Sequence, residues 1–322
     1  MKKRIALILP YFGRLPNYFQ VWLCSAGKNE FIDFYIFTDN RKENYILYDN
    51  IKWYETKFDS LKKRIYSILP YKICIDDPYK ICDFRPLFGL IFQNYISEYE
   101  FWGHCDPDII WGDLSKFLTS NILNNYDKIY NRGHLVLYRN IKKINYMVLK
   151  ELPNSYLKAK LVFQTRYSAH FDESNLLNRY IKYENLRVYE QVDCADVDYM
   201  FMDFRIVNLF HERELVDYFD YNEGHIYGYK QNEKIEYSYL HLQKRNIKIN
   251  STIDLNNFKI YPNLFINSNV SKEICEATNK EKIRYRKQKK RELFLRRINN
   301  LKSGAIKFRI LGFLEKIRRW DR

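Results

Sequence analysis

The chain has 322 residues, of which 17% are aromatic and 29% charged. That excludes a disordered chain and supplies core for one large domain or two modest ones. No uncharged apolar run approaches the roughly 18 residues of a transmembrane helix. The six cysteines (Cys24, Cys74, Cys82, Cys105, Cys194, Cys275) lack CxxC spacing, which argues for reduced thiols in a cytosolic protein rather than a disulfide framework or a zinc site. The formal net charge of +15 is uneven: residues 276–322 hold 17 Lys or Arg against 5 Asp or Glu, leaving only +3 for residues 1–275. The basicity belongs to a tail, and an anionic partner is met mainly there.

The opening MKKRIALILPYFG imitates a signal peptide, but the apolar stretch Ile5 to Leu9 is short and ends at Pro10 without a small-residue cleavage site. It reads as a first strand. The turn PYFGRLPN and a helical stretch from Tyr18 to Ala26 follow. Phe34 to Phe37 is a second strand running into Asp39, and Ile51 to Tyr54 a third, before an amphipathic helix over Asp59 to Leu69. This alternation predicts an α/β fold with a mostly parallel sheet flanked by helices, whose ligands collect beyond the carboxyl ends of the strands. A helix is expected from Asp83 to about Tyr99, with Pro86 in its first turn and Leu87, Leu90, Ile91 and Tyr95 on one face.

Next comes FWGHCDPDIIWGD, residues 101–113, with Asp106 and Asp108 at the end of an apolar run. Residues i and i+2 of an extended segment share a face, so the two carboxylates converge where strand gives way to loop. Without a cation they would repel. A hard divalent ion, Mn²⁺ or Mg²⁺, takes carboxylate oxygens and shares its other positions with substrate phosphates. Asp-Pro-Asp is also ordinary turn chemistry, and spacing alone leaves both readings open. Asp113 reads as a helix cap before Leu114, and Trp102, Trp111 and Cys105 as core.

Leu114 to Asn124 reads as helix and His134 to Tyr138 as a strand entered from Gly133. Residues 141–220 mix helical stretches with polar loops such as FDESN. Gly224 to Tyr239 reads as strands around a Gly-Tyr turn, ending in SYLHLQKR. From Lys280 onward the chain is amphipathic, with Leu293, Phe294, Ile298, Leu301, Phe308, Leu311, Leu314, Ile317 and Trp320 among the basic residues. Three readings of this tail stand: a helix on an anionic bilayer with Trp320 as an interfacial anchor, a solvated helix pair packed on the body, or a polyanion-binding arm. No nucleic-acid recognition module accompanies it in the body, so nucleic acid is not the expected partner.

Six segments in order, ILPYFGRLPNYF, FYIFTD, YKICDFRP, YEFWGHCDPDIIWGD, GHLVLYRN and YLHLQKR, resemble bacterial GT-A-type glycosyltransferase-like proteins of capsule and lipopolysaccharide gene clusters, over about the first 250 residues. The resemblance implies a GT-A-like, Rossmann-like sheet in a domain spanning residues 1–275, with a nucleotide-sugar half to about residue 140 and an acceptor half from 141, followed by the tail from 276. It implies that Asp106 and Asp108 form a DxD element holding Mn²⁺ or Mg²⁺ against a donor diphosphate, with His241 as a third metal ligand. Asp39 falls where such enzymes contact base or ribose, and Tyr11 is placed against the same nucleotide. Lys80, Asp83 and Arg85 match donor sugar and phosphate contacts, and Lys244 and Arg245 could meet the diphosphate.

A leaving nucleoside diphosphate develops negative charge that a cation and basic side chains stabilise. An inverting enzyme also needs a carboxylate to take the acceptor proton, for which Asp172 or Glu173 is the candidate. Capping through Ser174 is the other reading of that pair. The expected function is transfer of a sugar from a nucleotide-sugar, a UDP-sugar by the family's habit, to a glycan or lipid-linked acceptor, by a peripheral protein on the cytoplasmic face of the membrane. A sugar-nucleotide or glycan binding protein without turnover on the same fold is the alternative.

Overall fold

A computed structural model describes residues 4–153, 155–207, 213–231, 233–249, 253–268 and 278–320; the side chains of Lys302 and of residues 315–320 lie outside the description. The central sheet has seven strands in the order β3-β2-β1-β4-β7-β6-β8. These are β1 (Ile5–Tyr11), β2 (Ile32–Thr38), β3 (Ile51–Glu55), β4 (Phe101–Cys105), β6 (Lys128–Ile129), β7 (Leu135–Arg139) and β8 (Val188–Tyr189). Pairing is parallel from β3 through β4 and between β6 and β8, while β7 runs antiparallel to both its neighbours. The expected mixed, mostly parallel sheet is therefore present.

The strands are apolar without interruption because the sheet is covered on both faces. Ile5, Leu7 and Leu9 join one core with Phe19, Trp22, Leu23 and Ala26 of α1 (Phe19–Gly27). Ala6 and Ile8 face the other core, with Leu61 and Ile65 of α2 (Phe58–Ile68). Trp102, Trp111 and Cys105 are buried as expected.

The helix expected from Asp83 to Tyr99 is broken. Residues Pro78–Leu87 form a 3₁₀ stretch capped by Asp77, followed by two single turns, α3 (Phe88–Ile91) and α4 (Gln93–Ile96). Pro78 and Pro86 remove two amide donors, and Leu87 and Phe92 leave helical geometry at the two joints. The helix expected from Leu114 to Asn124 is likewise divided: Asp113 caps a single 3₁₀ turn, and Thr119 caps a new start at α5 (Ser120–Asn125). Short helices α6 (Lys142–Asn145) and α7 (Ala159–Gln164) and the longer α8 (Asn175–Tyr183), capped by Ser174, follow.

Three small strands make a second sheet in the order β5-β15-β9: β5 (Ile109–Trp111), β15 (Tyr239–His241) and β9 (Ala195–Asp196). A two-stranded ribbon, β10 (Phe204–Val207) with β11 (Arg213–Val216), adjoins it. A six-stranded sheet, order β14-β13-β12-β17-β18-β16, completes the second half. Its strands are β12 (Tyr218–Asn222), β13 (His225–Lys230), β14 (Glu233–Tyr237), β16 (Lys248–Ile249), β17 (Asn257–Tyr261) and β18 (Leu264–Asn267). The Gly-Tyr pair expected to turn here instead lies inside β13. A Cβ on Gly228 would stand 2.7 Å from the Tyr237 ring, so this glycine makes room for a neighbouring ring, and the chain reverses after Lys230, where Gln231 takes φ 53°.

The tail is two helices, α9 (Asn279–Lys302) and α10 (Ala305–Trp320). Thr278 and Glu281 start α9 with a capping box. It docks through Lys282 to Asp203 (2.8 Å) and through the Tyr285 hydroxyl to the carbonyl of Tyr199 (3.2 Å). In α10, Ala305 is buried and Phe308 packs on Tyr167, whereas Ile306, Ile310, Phe313 and Leu314 are exposed. The apolar residues thus divide between a docked and an exposed side. Among the described residues no helix is long and apolar enough to cross a membrane. Cys275 and the side chains of Ile317 and Trp320 lie outside the description.

Gly103 in β4 has no room for a side chain: a Cβ would meet the Val136 carbonyl at 2.4 Å and Leu7 at 2.8 Å. Gly103→Ala is expected to cost about 1–3 kcal/mol or more by overpacking, measured as a lowered urea midpoint.

Candidate active site

The turn Asp106-Pro107-Asp108 joins β4 to β5, and its backbone is held from three directions. The Asp106 amide donates to the carbonyl of His134 (3.0 Å), Trp22 Nε1 donates to the Asp106 carbonyl (3.0 Å), and the Leu242 amide donates to the Asp108 carbonyl (2.9 Å). Register does the rest: β15 pairs with β5 so that His241 lies opposite Ile109, and with β9 so that His241 lies beside Asp196. Four distant segments thereby meet at the mouth of a cleft of about 1040 Å³.

The two carboxylates converge as the spacing predicts. His241 Nε2 lies 3.4 Å from Asp108 Oδ1 and 3.8 Å from Asp106 Oδ2, while its Nδ1 is bound to Asp196 Oδ1 at 2.9 Å. Asp108 Oδ2 accepts the Lys244 amide at 2.6 Å, and the buried Oδ1 has no hydrogen-bond partner. Gln243 and Lys244 both take positive φ, 54° and 56°, to deliver that amide. Burial alone would lower the His241 pKa; the Asp108 and Asp196 carboxylates outweigh it and push the imidazole up to about 10. Burial would raise Asp106, but Arg85, with His241 and His134, holds it down at about 2.

The donor set fits a divalent cation. Two carboxylate oxygens and one imidazole nitrogen lie within 4.8 Å of one another. Ligands of one such ion sit about 3 Å apart when at right angles. The orphaned Oδ1 of Asp108 is the atom left waiting, and the imidazolium proton on Nε2 occupies a cation's place. Its loss to a bound ion would leave Nδ1–H on Asp196, the carboxylate–histidine–metal arrangement that fixes tautomer and orientation. Asp196 is itself held by Arg132 (2.9 Å) and Gln243 (2.9 Å) and faces the buried His134, whose Nδ1 bonds the Tyr239 hydroxyl at 2.8 Å. His134 is thus buried beside the cluster.

Arg85 enters from the 3₁₀ stretch and links both halves of the cleft. Its guanidinium makes a short ion pair with Asp106 and bonds Asp172 Oδ2 at 2.7 Å and the Gly133 carbonyl at 2.8 Å. Asp172 is buried, and burial, reinforced by Glu173 against the pull of Arg85, raises its pKa to about 7. Its Oδ1 has no partner, whereas Glu173 accepts the Gly133 amide at 2.7 Å. Both residues line the cleft, Asp172 buried and Glu173 exposed. Tyr11 also lines the cleft, its hydroxyl pKa raised by burial and by Asp108 and Asp106.

Four expected contacts fall elsewhere. Lys80 is buried and spends its three protons on Asp83 (2.7 Å) and the carbonyls of Val162 (2.8 Å) and Tyr167 (2.7 Å). Asp83 accepts the amides of Ala169 (3.0 Å) and Phe171 (2.9 Å), so this pair shapes the loop that carries Asp172 and does not line the cleft. Arg245 is buried against the carbonyls of Asp198, Phe201, Met202 and Pro262, a clamp on the second half of the chain. Asp39 is exposed at the end of β2, where it holds the Gly13 amide at 2.9 Å and so fixes the β1–α1 loop.

Sequence reasoning passed over Asp196, Arg132 and Tyr79, and over Lys289 and Arg296 of α9, which also line the cleft. Asp196 had a signal: with Asp198 it repeats the i, i+2 spacing of the first pair.

The family of unknown function DUF6625 matches residues 7–269. The chain belongs to this family. No curated protein matches it. Among solved structures, the galactosyltransferase LgtC, crystallised with donor and acceptor sugar analogues, is 11% identical, with 60% of this chain and 75% of that one covered and a TM-score of 0.30. The glycosyltransferase GlyE of Streptococcus pneumoniae in its apo form is 14% identical, with 59% and 46% covered and a TM-score of 0.29. Likeness at this level carries no argument about chemistry, and the functional reading of this DUF6625 protein rests on its own residues.

Asp196→Asn is expected to weaken Mn²⁺ binding about 10–100-fold, because an amide no longer fixes the His241 tautomer. Titration calorimetry against the unsubstituted protein measures it.

Proposed function

We propose that this DUF6625 protein is a metal-dependent glycosyltransferase that moves a sugar from a nucleotide-sugar, a UDP-sugar, to a glycan or lipid-linked acceptor in bacterial surface-polysaccharide assembly. The observation that carries the reading is the convergence of Asp106, Asp108 and His241, with an orphaned carboxylate oxygen, at the carboxyl end of β4 in the large cleft. The order of the six sequence segments supports the surface-polysaccharide setting.

Asp106, Asp108 and His241 would hold Mn²⁺ or Mg²⁺, which when bound supplies a Lewis acid for the departing diphosphate. Lys244, fixed beside Asp108 by its backbone, adds a positive charge where the leaving group gathers negative charge. Tyr11 lies against the nucleotide at the end of β1. Asp172 takes the acceptor hydroxyl proton: burial raises its carboxyl pKa to about 7, and it lines the cleft with one carboxylate oxygen unpartnered. Arg85 bridges Asp106 and Asp172 and sets the distance between the donor and acceptor ends.

The exposed apolar residues of α10 lie among Lys and Arg, which suits an anionic bilayer as the surface that carries the acceptor. Membrane attachment of this kind is peripheral.

Thermal-shift measurements with nucleoside diphosphates and UDP-sugars, with and without Mn²⁺, test the donor reading. Stabilisation is expected to need the metal and to vanish in Asp108→Ala, since a ligand selective for the folded state raises its stability. No shift with any nucleotide would overturn the reading. In a transfer assay the rate is expected to rise with pH by about tenfold per unit up to about 7 and then level, because the base works deprotonated and burial has raised its pKa. Asp172→Asn is expected to lower turnover about 10²–10⁴-fold while leaving nucleotide binding intact. Binding without turnover in the unsubstituted protein would mark a binding protein instead.

A further inference from the structure

Arg296 enters the cleft from α9, beyond the residues that define the family. Its Nη2 donates to His170 Nε2 at 2.6 Å and to the Tyr79 hydroxyl at 3.1 Å, and its guanidinium carbon lies 5.8 Å from the centre of the Tyr79 ring. Lys244 Nζ lies 4.7 Å from the centre of the same ring. Two cations therefore share one aromatic side chain in the cleft, and neither has a carboxylate partner among the described residues. Nearby acids are committed elsewhere: Glu292 to Lys289 (2.9 Å) and Gln288 (2.9 Å), Asp77 to the Tyr79 amide (2.8 Å), and Asp108 to the Lys244 amide (2.6 Å).

His170 and the Tyr79 hydroxyl are neutral acceptors. They orient the guanidinium without neutralising it, and among the described residues Nη1 and Nε of Arg296 have no partner. His170 is itself held in place, with φ 49°, by the Asp83 carboxylate, which binds the amides of Ala169 and Phe171 on either side. A planar fork of donors beside an ammonium group, on a fixed support, matches the oxygens of a phosphoryl group.

We propose that Arg296 and Lys244, gathered around Tyr79, form a phosphoryl-binding subsite that the C-terminal helix completes, so that α9 is part of the substrate cleft. The inference deepens the transferase reading and rests on it for the identity of the ligand. The phosphoryl group belongs either to the donor diphosphate or to a lipid phosphate that carries the acceptor.

The test measures affinity for two probes, UDP with Mn²⁺ and dodecyl phosphate below its micellar concentration without metal, on the full chain and on Arg296→Gln, Arg296→Lys and Asp108→Ala. Arg296→Gln is expected to weaken at least one probe about tenfold or more. Arg296→Lys, which keeps the charge and loses the fork, falls between, and it supplies the comparison if the Gln variant shifts the unliganded thermal midpoint. Weaker UDP binding in both Arg296→Gln and Asp108→Ala assigns the subsite to the donor. Weaker dodecyl phosphate binding in Arg296→Gln alone assigns it to the acceptor. Unchanged affinity for both probes in both Arg296 variants overturns the subsite and leaves the transferase reading standing. If UDP with Mn²⁺ fails to bind the unsubstituted protein, the UDP-sugar donor falls, the nucleotide panel decides the transferase reading, and the dodecyl phosphate arm still decides the subsite. Failure of both probes on the unsubstituted protein overturns the subsite as well.

Discussion

The register of β15 between β5 and β9 is the constraint on which the candidate site depends. One short strand sets His241 opposite Ile109 on one side and beside Asp196 on the other. Asp108 precedes Ile109, so a single ladder places carboxylate, imidazole and carboxylate in line. Successive side chains point to opposite faces, so a slip of one residue would carry His241 to the far side of the sheet. Leu240 and Leu242, both buried, resist that slip because they would have to exchange places with a charged ring. The backbone bonds on both sides of Pro107 then keep the acid pair at the edge of the larger sheet.

The cluster also answers how so many acids can be buried together. Four carboxylates, Asp106, Asp108, Asp172 and Asp196, are interleaved with Arg85, Arg132 and His241, so that each acid meets a cation or an amide before it meets another acid. The Asp108 and Asp196 carboxylates raise the His241 pKa and so favour a positive charge between them. The same arrangement leaves Asp108 Oδ1 and Asp172 Oδ1 unsatisfied. A buried oxygen without a partner costs about 1–3 kcal/mol, and two of them on residues that line one cleft point to a surface organised for a ligand at the expense of stability.

The strands of the first 140 residues were legible because they are local signals, apolar runs that end at turn residues, and because the sheet buries both faces. The acid pair was legible for the same reason: its spacing and its place at the end of β4 are local. The helix after Asp83 was misread because Pro86, expected to open an α-helix, lies inside a 3₁₀ stretch that begins at Pro78, and Leu87 and Phe92 break the rest into single turns. Lys80, Asp83 and Arg245 were misplaced for a different reason. Their roles depend on carbonyls and amides far along the chain, around residues 162–171 and 198–202, and no local pattern announces them. Asp196 is the reverse case, a residue with a local signal whose meaning appears only when the ladder to His241 is known.

The tail gains its significance from the same logic of long-range placement. Read as composition it is a run of charge, yet α9 begins with a capping box, docks through Lys282 and Tyr285, and brings Arg296 to the cleft. Lys289 and Arg296 of this helix line the cleft, where positive charge raises the local concentration of anions and speeds their arrival. The following helix turns Ala305 and Phe308 toward the body and leaves Ile306, Ile310, Phe313 and Leu314 outside. The cleft-lining residues of α9 and the outward apolar row of α10 are then two consequences of one packing arrangement.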